Sequence, residues 1–330
     1  MASTGNRFVS AQQVAEYAGV SRSAVSRTFT EGASVSAKTR EKVLAAAQEL
    51  GYHVNHLARG LHDTSNIVSL ITTDINSPFQ SAFIDELTQQ LQKINKIALV
   101  VNTKANDEDV DTALTQTLNF RAEASIVLSG QPHKDLIDKC IANGQHVILV
   151  NRNQVYDNAY NIRLDNHAAA FEALAILQQQ GCKNLLLVNS GIGSPGLVAR
   201  EKGFVDAANK AGLSVSVARF GDTSYESGKH IAKQLKEIPD GVFCVTDLLA
   251  CGFIDGLKQQ GIEIPTHTVV IGFDDINQAS WDAYQLTTFR QPLTSISQHI
   301  IQCLQANNTA LNGEFTYLLE PVWRKTTRHN

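Results

Sequence analysis

Between residues 66 and 274 the chain alternates short apolar runs with longer amphipathic stretches, and it does so in two successive series. The first series reads NIVSLITT (66–73), a helical pattern over 78–94, KIALVV (96–101), 107–119, SIVLS (125–129), 133–143 and HVILVN (146–151). The second reads YNIRLD, 166–181, NLLLVNS (184–190), 196–212, a strand near 214–219, 224–237, VFCVT (242–246), 247–260 and TVVIGFD (268–274). A strand that is apolar on both faces must be covered on both, and helices placed between successive strands do this. The pattern therefore predicts parallel sheets with helical layers on each side. Two series predict two doubly wound lobes, with ligands seated at the carboxyl ends of the strands.

The composition, 43% hydrophobic and 18% charged, is that of an ordinary globular chain, and no apolar run is long enough to span a bilayer. The start, MASTGNRF, lacks the apolar stretch and small-residue cleavage pattern of a secretory signal, so a cytoplasmic location and no membrane partner are expected. Cys140, Cys182, Cys244, Cys251 and Cys303 form no C-x-x-C pair and read as reduced core thiols. The ten histidines show no H-E-x-x-H and no cluster, so no metal site is expected.

One motif competes with a binding-protein reading. Gly191-Ile192-Gly193-Ser194-Pro195-Gly196 spells G-x-G-x-x-G after a strand and before a helix, as in dinucleotide-binding proteins. It lies mid-chain, and no acidic strand-end residue stands at the ribose position. No Walker loop, Gly-x-Ser-x-Gly elbow or nucleophile–base set is present, so neither a cofactor nor an enzymatic activity is expected.

Before residue 65 the pattern is different. Ser10 followed by Gln13 is a capping box opening a helix over 11–18, with Val14, Ala15 and Ala18 inward. Gly19 permits a tight turn, and Ser21 caps a helix over 21–29 whose inner face is Ala24, Val25 and Thr28 or Phe29. A third helix, 37–50, follows Ser36 and offers Val43, Leu44, Ala47 and Leu50 to the core. Two short helices joined by a glycine turn are a helix-turn-helix. Arg22, Ser23, Ser26 and Arg27 then point outward where a recognition helix meets base edges, and Arg22 and Arg27 are suited to bridging guanine O6 and N7. Ser10, Ser36, Thr39 and the helix N-termini suit phosphates. Pattern alone also allows a small helical bundle with solvated arginines. The charge is distributed to match DNA binding at this end: residues 1–63 balance to +2 and the remainder to −6.

V-A-E-Y-A-G-V-S-x-x-A-V-S-R (Val14 to Arg27), V-S-x-x-T-R-E-K-V (Val35 to Val43) and L-G-Y-x-x-N-x-L-A-R-x-L (Leu50 to Leu61) resemble the LacI/GalR repressor family. The resemblance implies a hinge helix, with Asn55, Leu57, Ala58 and Arg59 beside the DNA and Leu61 as an apolar wedge entering from the minor groove. Two departures leave that hinge less pre-organised: Val54 stands where the family has proline, and Gly60 lies within the helix, where glycine costs about 1 kcal/mol relative to alanine. The implied fold is an all-α helix-turn-helix head (1–50), a hinge and linker (51–64) and an α/β two-lobed sensor (65–330) similar to periplasmic sugar-binding proteins. Its N-lobe would hold about 65–162 and 293–317, its C-lobe about 163–292 and 318–330, with three crossings.

D-I-N-S-P-F, V-N-R, A-R-E-K-G-F, T-D-L-L-A-C-G, V-I-G-F-D-D and L-T-T-F-R-Q-P extend the resemblance into the sensor. They place Asp74, Phe79, Asn151, Arg152, Arg200, Thr246, Asp274 and Gln291 at the family's effector-contacting positions. Their chemistry suits a polar ligand: carboxylates and amides for hydroxyls, two guanidinium forks and one aromatic face. Arg200 also reads as a solvated helix residue, Asp274 as a loop brace and Asp247 as a helix N-cap. Thr223 follows Gly221-Asp222 where the family often has an aromatic, so a stacking platform is missing or supplied elsewhere. The expected partners are a near-palindromic double-stranded DNA operator, a second copy of the chain in a homodimer, and a small effector: a sugar, sugar acid or sugar phosphate. The alternatives are a cytoplasmic sugar-binding module with a degenerate head, or a cofactor-dependent α/β enzyme.

Overall fold

In the computed structural model, which describes residues 9–30, 32–52, 65–104, 107–152, 154–305 and 313–328, the chain divides into two units, Met1–Ser65 and Asn66–Asn330. The first holds α1 (Ala11–Ala18), α2 (Arg22–Thr28) and α3 (Ala37–Leu50). Each starts on a serine whose hydroxyl accepts an otherwise unpaired backbone N–H: Ser10 from Gln13, Ser21 from Ala24 and Ser36 from Thr39. Gln13 Oε1 returns to the Ser10 N–H at 2.9 Å, completing the capping box. Gly19 ends α1 at φ 65°, a left-handed conformation that turns the chain into α2.

Val14, Ala15, Val25, Val43, Ala46 and Ala47 are the buried centre of this unit. Leu44, expected inside, is 47% exposed. The inward stripe from Val43 continues through positions three and four further on, Ala46 and Ala47, and Leu44 lies about 100° away around the helix. Thr28 is buried and Phe29 only packs against the centre. Arg40 Nη1 donates to the Thr28 carbonyl at 3.1 Å, pinning α3 to the end of α2. Asn55, Leu57, Ala58, Arg59 and Leu61, the hinge residues, lie outside the described residues.

The second unit begins with β1 (Ile67–Thr72), α4 (Pro78–Lys93), β2 (Ile97–Asn102), α5 (Asp107–Asn119), β3 (Ala124–Val127), α6 (Lys134–Ala142), β4 (His146–Val150) and β5 (Tyr160–Leu164). It continues through α7 (Asn166–Gln179), β6 (Leu185–Asn189), α8 (Pro195–Lys210), β7 (Val215–Arg219), α9 (Tyr225–Lys233), β8 (Gly241–Cys244), α10 (Asp247–Lys258) and β9 (Val269–Ile271). It ends with β10 (Thr288–Arg290), α11 (Leu293–Gln305), β11 (Gly313–Tyr317) and β12 (Glu320–Val322). One sheet has the order β11-β5-β4-β3-β1-β2, a second β7-β6-β8-β9, and all their pairings are parallel; β10 and β12 form an antiparallel ribbon. The chain passes between the two sheets three times: after β5, after β10, and after β11. Central strands such as β6 and β8 are buried throughout, as strands covered on both faces must be.

Elements after residue 274 carry weaker sequence signals because they are short or discontinuous. The α11 helix is amphipathic through Ile296, Ile300 and Ile301, and β11 is an exposed edge strand with no alternating pattern. The 224–237 helix stops at Lys233, with Gln234 as its C-cap. Cys140, Cys182, Cys244, Cys251 and Cys303 are free and buried. No helix of the described residues is long and apolar enough to cross a membrane.

Candidate functional site

A cavity of about 700 Å³ opens at the carboxyl ends of the strands in both sheets, and Asp74, Phe79, Asn151, Arg152, Arg200, Thr246, Asp274 and Gln291 all line it. They come from seven separate pieces of chain, and those that follow β1, β4, β8 and β9 meet because every strand of a doubly wound sheet ends on the same side. Asp74 follows β1, Asn151 and Arg152 follow β4, Thr246 follows β8, Asp274 follows β9 and Gln291 follows β10. Arg200 enters from the first turns of α8.

Arg200 is 4% exposed and is not a solvated helix residue. Its Nε donates to Asn166 Oδ1 at 2.9 Å, and its Nη1 donates to the Val245 carbonyl at 2.7 Å and to Asp274 Oδ1 at 3.3 Å. The guanidinium carbon sits 3.5 Å from the centroid of the Phe273 ring, which adds a cation–π contact. Asn166 Nδ2 in turn donates to Asn151 Oδ1 at 2.7 Å, so a hydrogen-bonded chain runs from the C-terminal sheet to the end of β4. Asp274 also accepts from Gln291 Nε2 at 2.6 Å. Burial pushes its carboxyl up to about 6 while Arg200 opposes the rise.

Asn151 and Asp274 adopt φ values of 58° and 122°, rare for residues other than glycine. Both side chains line the cavity, and both backbones are held: the Asn151 N–H by the Ile162 carbonyl, the Asp274 N–H by the Phe289 carbonyl. Three residues on the wall carry buried polar atoms without a protein partner, Gln80 Oε1, Arg152 Nε and Gln291 Oε1. Buried polar groups are nearly always hydrogen-bonded, so these three, of seven such atoms among the described residues, leave the wall able to pair with a polar ligand.

Asp247 differs from its expected role. The N-cap of α10 is Thr246, whose hydroxyl accepts from Leu249 N–H, and Asp247 is the first helical residue and fully buried. It is not on the cavity wall. Its two carboxyl oxygens accept from the Ile276 N–H at 2.9 Å and the Thr288 hydroxyl at 2.5 Å, bracing the loop that carries Asp274. Burial first, and then the neighbouring charge of Asp274, push its carboxyl up to about 8 from an ordinary 3.8. A carboxyl raised in the folded state keeps its proton where the unfolded chain has lost it. Stability therefore falls as pH rises from about 4 to about 8. Asp247→Asn is expected to raise stability at pH 8 by roughly 3 kcal/mol and to flatten that slope. Urea unfolding at several pH values measures both, and a slope equal to that of the parent protein refutes the assignment.

Sequence reasoning missed the turn between β6 and α8. Ile192 through Leu197, including most of the G-x-G-x-x-G segment, lines the cavity. At Gly196 a Cβ would stand 2.8 Å from Asn151 Nδ2, so glycine there lets the start of α8 approach the end of β4. The signal was the position of the motif at a strand end, shared by the other wall residues. Asp222 and Thr223 also line the cavity, whereas Phe220, next to them, stacks on His230 with centroids 3.7 Å apart. Phe79 is the aromatic residue among the described lining residues.

In the head, Ser10, Ser21, Arg22, Ser23, Ser26, Arg27 and Ser36 are exposed and Thr39 is partly so. Arg22, Ser23, Ser26 and Arg27 share the outer face of α2, because Val25 and Thr28 occupy the inner one. The hydroxyls of Ser10, Ser21 and Ser36 cap their helices, and Ser36 and Thr39 hydroxyls also meet at 2.8 Å. Arg27 Nε donates to the Ser23 carbonyl at 3.4 Å, lying back along the helix. Tyr17 on α1 is 61% exposed, an aromatic outside the apolar stripe that sequence reasoning did not single out.

Residues 11–55 match the profile of bacterial regulatory proteins of the lacI family, and residues 174–327 match a periplasmic binding protein-like domain. Catabolite control protein A of Priestia megaterium is 28% identical over 296 residues, covering 87% of this chain and 89% of that protein. The transcriptional repressor PurR of Pasteurella multocida is 26% identical over 302 residues, covering 89% and 90%. The lac repressor dimer bound to operator and the anti-inducer ONPF superposes with a TM-score of 0.85 at 24% identity, over 97% of this chain and 99% of that one.

Proposed function

We propose, from the premise that this chain belongs to the lacI family of bacterial regulatory proteins, that it is a sequence-specific DNA-binding repressor of transcription whose operator affinity is set by a small polar effector. The observation that carries this is the convergence of eight residues, drawn from segments between Asp74 and Gln291, on one cavity in a chain that also bears a helix-turn-helix with an exposed polar face. Relatives are named as a catabolite control protein, a transcriptional repressor and a transcriptional regulator, and one solved neighbour is a repressor dimer bound to operator and an anti-inducer.

In this reading Arg22 and Arg27, with Ser23 and Ser26, read bases. Ser10, Ser21, Ser36 and Thr39 with their helix N-termini hold phosphates. Asn55, Leu57, Ala58, Arg59 and Leu61 form the hinge, with Leu61 as the wedge. Asp74, Phe79, Asn151, Arg152, Arg200, Thr246, Asp274 and Gln291 bind the effector. Two copies of the chain meet a near-palindromic operator, as two-fold symmetry requires. The protein acts in the cytoplasm, as a regulator and not an enzyme. The effector moves operator affinity by binding one arrangement of the sensor better than another.

Genome-wide mapping of bound sites supplies the operator, and titration of that duplex by the full chain tests the head. Arg22→Ala and Arg27→Ala are each expected to weaken operator binding about 10- to 100-fold, the worth of a bidentate guanine contact. Binding to unrelated duplex should change much less. Equal losses on both duplexes would reduce the two arginines to phosphate contacts.

A further inference from the structure

We infer that the effector carries an anionic group, a carboxylate or a phosphate, that docks on Arg152. This rests on the reading of the cavity as the effector site and narrows the chemistry of what enters it.

Arg152 is 7% exposed and lines the cavity. No ion pair joins it to a carboxylate among the described residues. Arg200, the other guanidinium on the wall, is answered by Asp274. Arg152 makes one hydrogen bond to protein, by Nη2 donating to the Val127 carbonyl at 3.2 Å, and its Nε is buried without a partner. Taking a guanidinium out of water with neither counter-charge nor full hydrogen bonding is strongly unfavourable. The same burial pulls its pKa down to about 10.

Two further features point the same way. The α4 and α8 helices both begin on the cavity wall, through Ser77 and through Ser194-Pro195. Neither serine side chain caps its helix, so both N-termini present unneutralised partial positive charge to the same space. The carboxylates on the wall do not answer Arg152 either: Asp274 is held by Arg200 and Gln291, and Asp74 and Asp222 are exposed. A neutral polyol would meet the acceptors Asp74 and Asn151 but would leave the buried cation uncompensated.

The test compares the full chain with Arg152→Met, whose side chain keeps the apolar stem and removes the charge. Thermal unfolding of both is followed at constant ionic strength with inorganic phosphate, glucose 6-phosphate, gluconate and glucose. Without additive, Arg152→Met is expected to melt about 3 °C above the parent, because the buried cation is gone. At least one of the three anions should raise the parent's midpoint and leave that of Arg152→Met in place, with binding about 10- to 100-fold weaker to the variant. Phosphate esters and gluconate distinguish the two anion types.

The inference is overturned if the parent responds to none of the three anions, or if the variant shares the response. It is also overturned if glucose stabilises both proteins alike, an outcome that keeps the sensor reading and discards the charge. Failure of the regulator reading itself would appear separately, as loss of sequence-specific duplex binding by the parent.

Discussion

Arg200→Met is expected to lower the unfolding free energy by about 3 kcal/mol and to abolish the influence of any small molecule on operator binding. The magnitude is that of breaking a buried charge pair from one side, roughly 3–5 kcal/mol, where the partner left behind dominates. Asp274 would remain buried with only Gln291 donating to it, and its carboxyl would rise above its present value of about 6. Asn166 and the Val245 carbonyl would each lose a donor, and the Phe273 ring its cation. Asn166 is the link to Asn151 across the cavity, so the loss reaches both walls. Adding Asp274→Asn to Arg200→Met should recover part of the stability without restoring the response. Urea unfolding and effector titration of the operator complex check the two halves. A single variant within about 0.5 kcal/mol of the parent, the usual margin for a solvated residue, would contradict the buried-pair account.

Gly252→Ala is expected to cost about 3 kcal/mol or more, at the upper end of overpacking effects. The α9 and α10 helices cross at backbone contact: a Cβ on Gly252 would stand 1.8 Å from the Tyr225 carbonyl oxygen, and one on Gly228 would stand 2.0 Å from that of Leu249. Backbone cannot swing aside as a long side chain can, so the helices must separate. The first residues of α10 are Asp247 and Leu248, preceded by Thr246 on the cavity wall, so the displacement also reaches the site. Gly193→Ala is the contrast, because nothing lies within 4 Å of the Cβ it would add. Its unfolding midpoint in urea should stay near that of the parent, whereas Gly252→Ala should unfold at much lower urea or accumulate as insoluble protein.

Much of the architecture was legible because it depends on local periodicity. Strands such as β6 and β8 announce themselves as unbroken apolar runs, and Ser10, Ser21 and Ser36 announce helix starts by a hydroxyl that any free N–H will take. Where the sequence reading failed, the deciding interaction lay elsewhere in the chain. Leu44 is apolar yet exposed, because the stripe is defined by Val43 and the helices it faces. Asp247 sits one residue inside a cap made by Thr246, and its carboxylate answers Ile276 and Thr288, which no local rule could anticipate.

What the amino-acid order alone determined is the kind of molecule: a capped helix-turn-helix, two series of strand and helix, and a set of mostly polar residues at strand ends or in the turns and helices that adjoin them. Strand ends converge in this topology whatever the side chains are, and the family resemblance named the eight positions, Phe79 and Arg200 inside helices among them, that line the cavity wall. Only the tertiary structure decided how those residues are used. It pairs Arg200 with Asp274, buries Arg152 with no carboxylate paired to it among the described residues, and turns a glycine-rich segment resembling a dinucleotide turn into the place where α8 meets Asn151. The physical reason is that charge compensation and close approach are properties of neighbours in space, and those neighbours are brought together by crossings between sheets far apart in sequence.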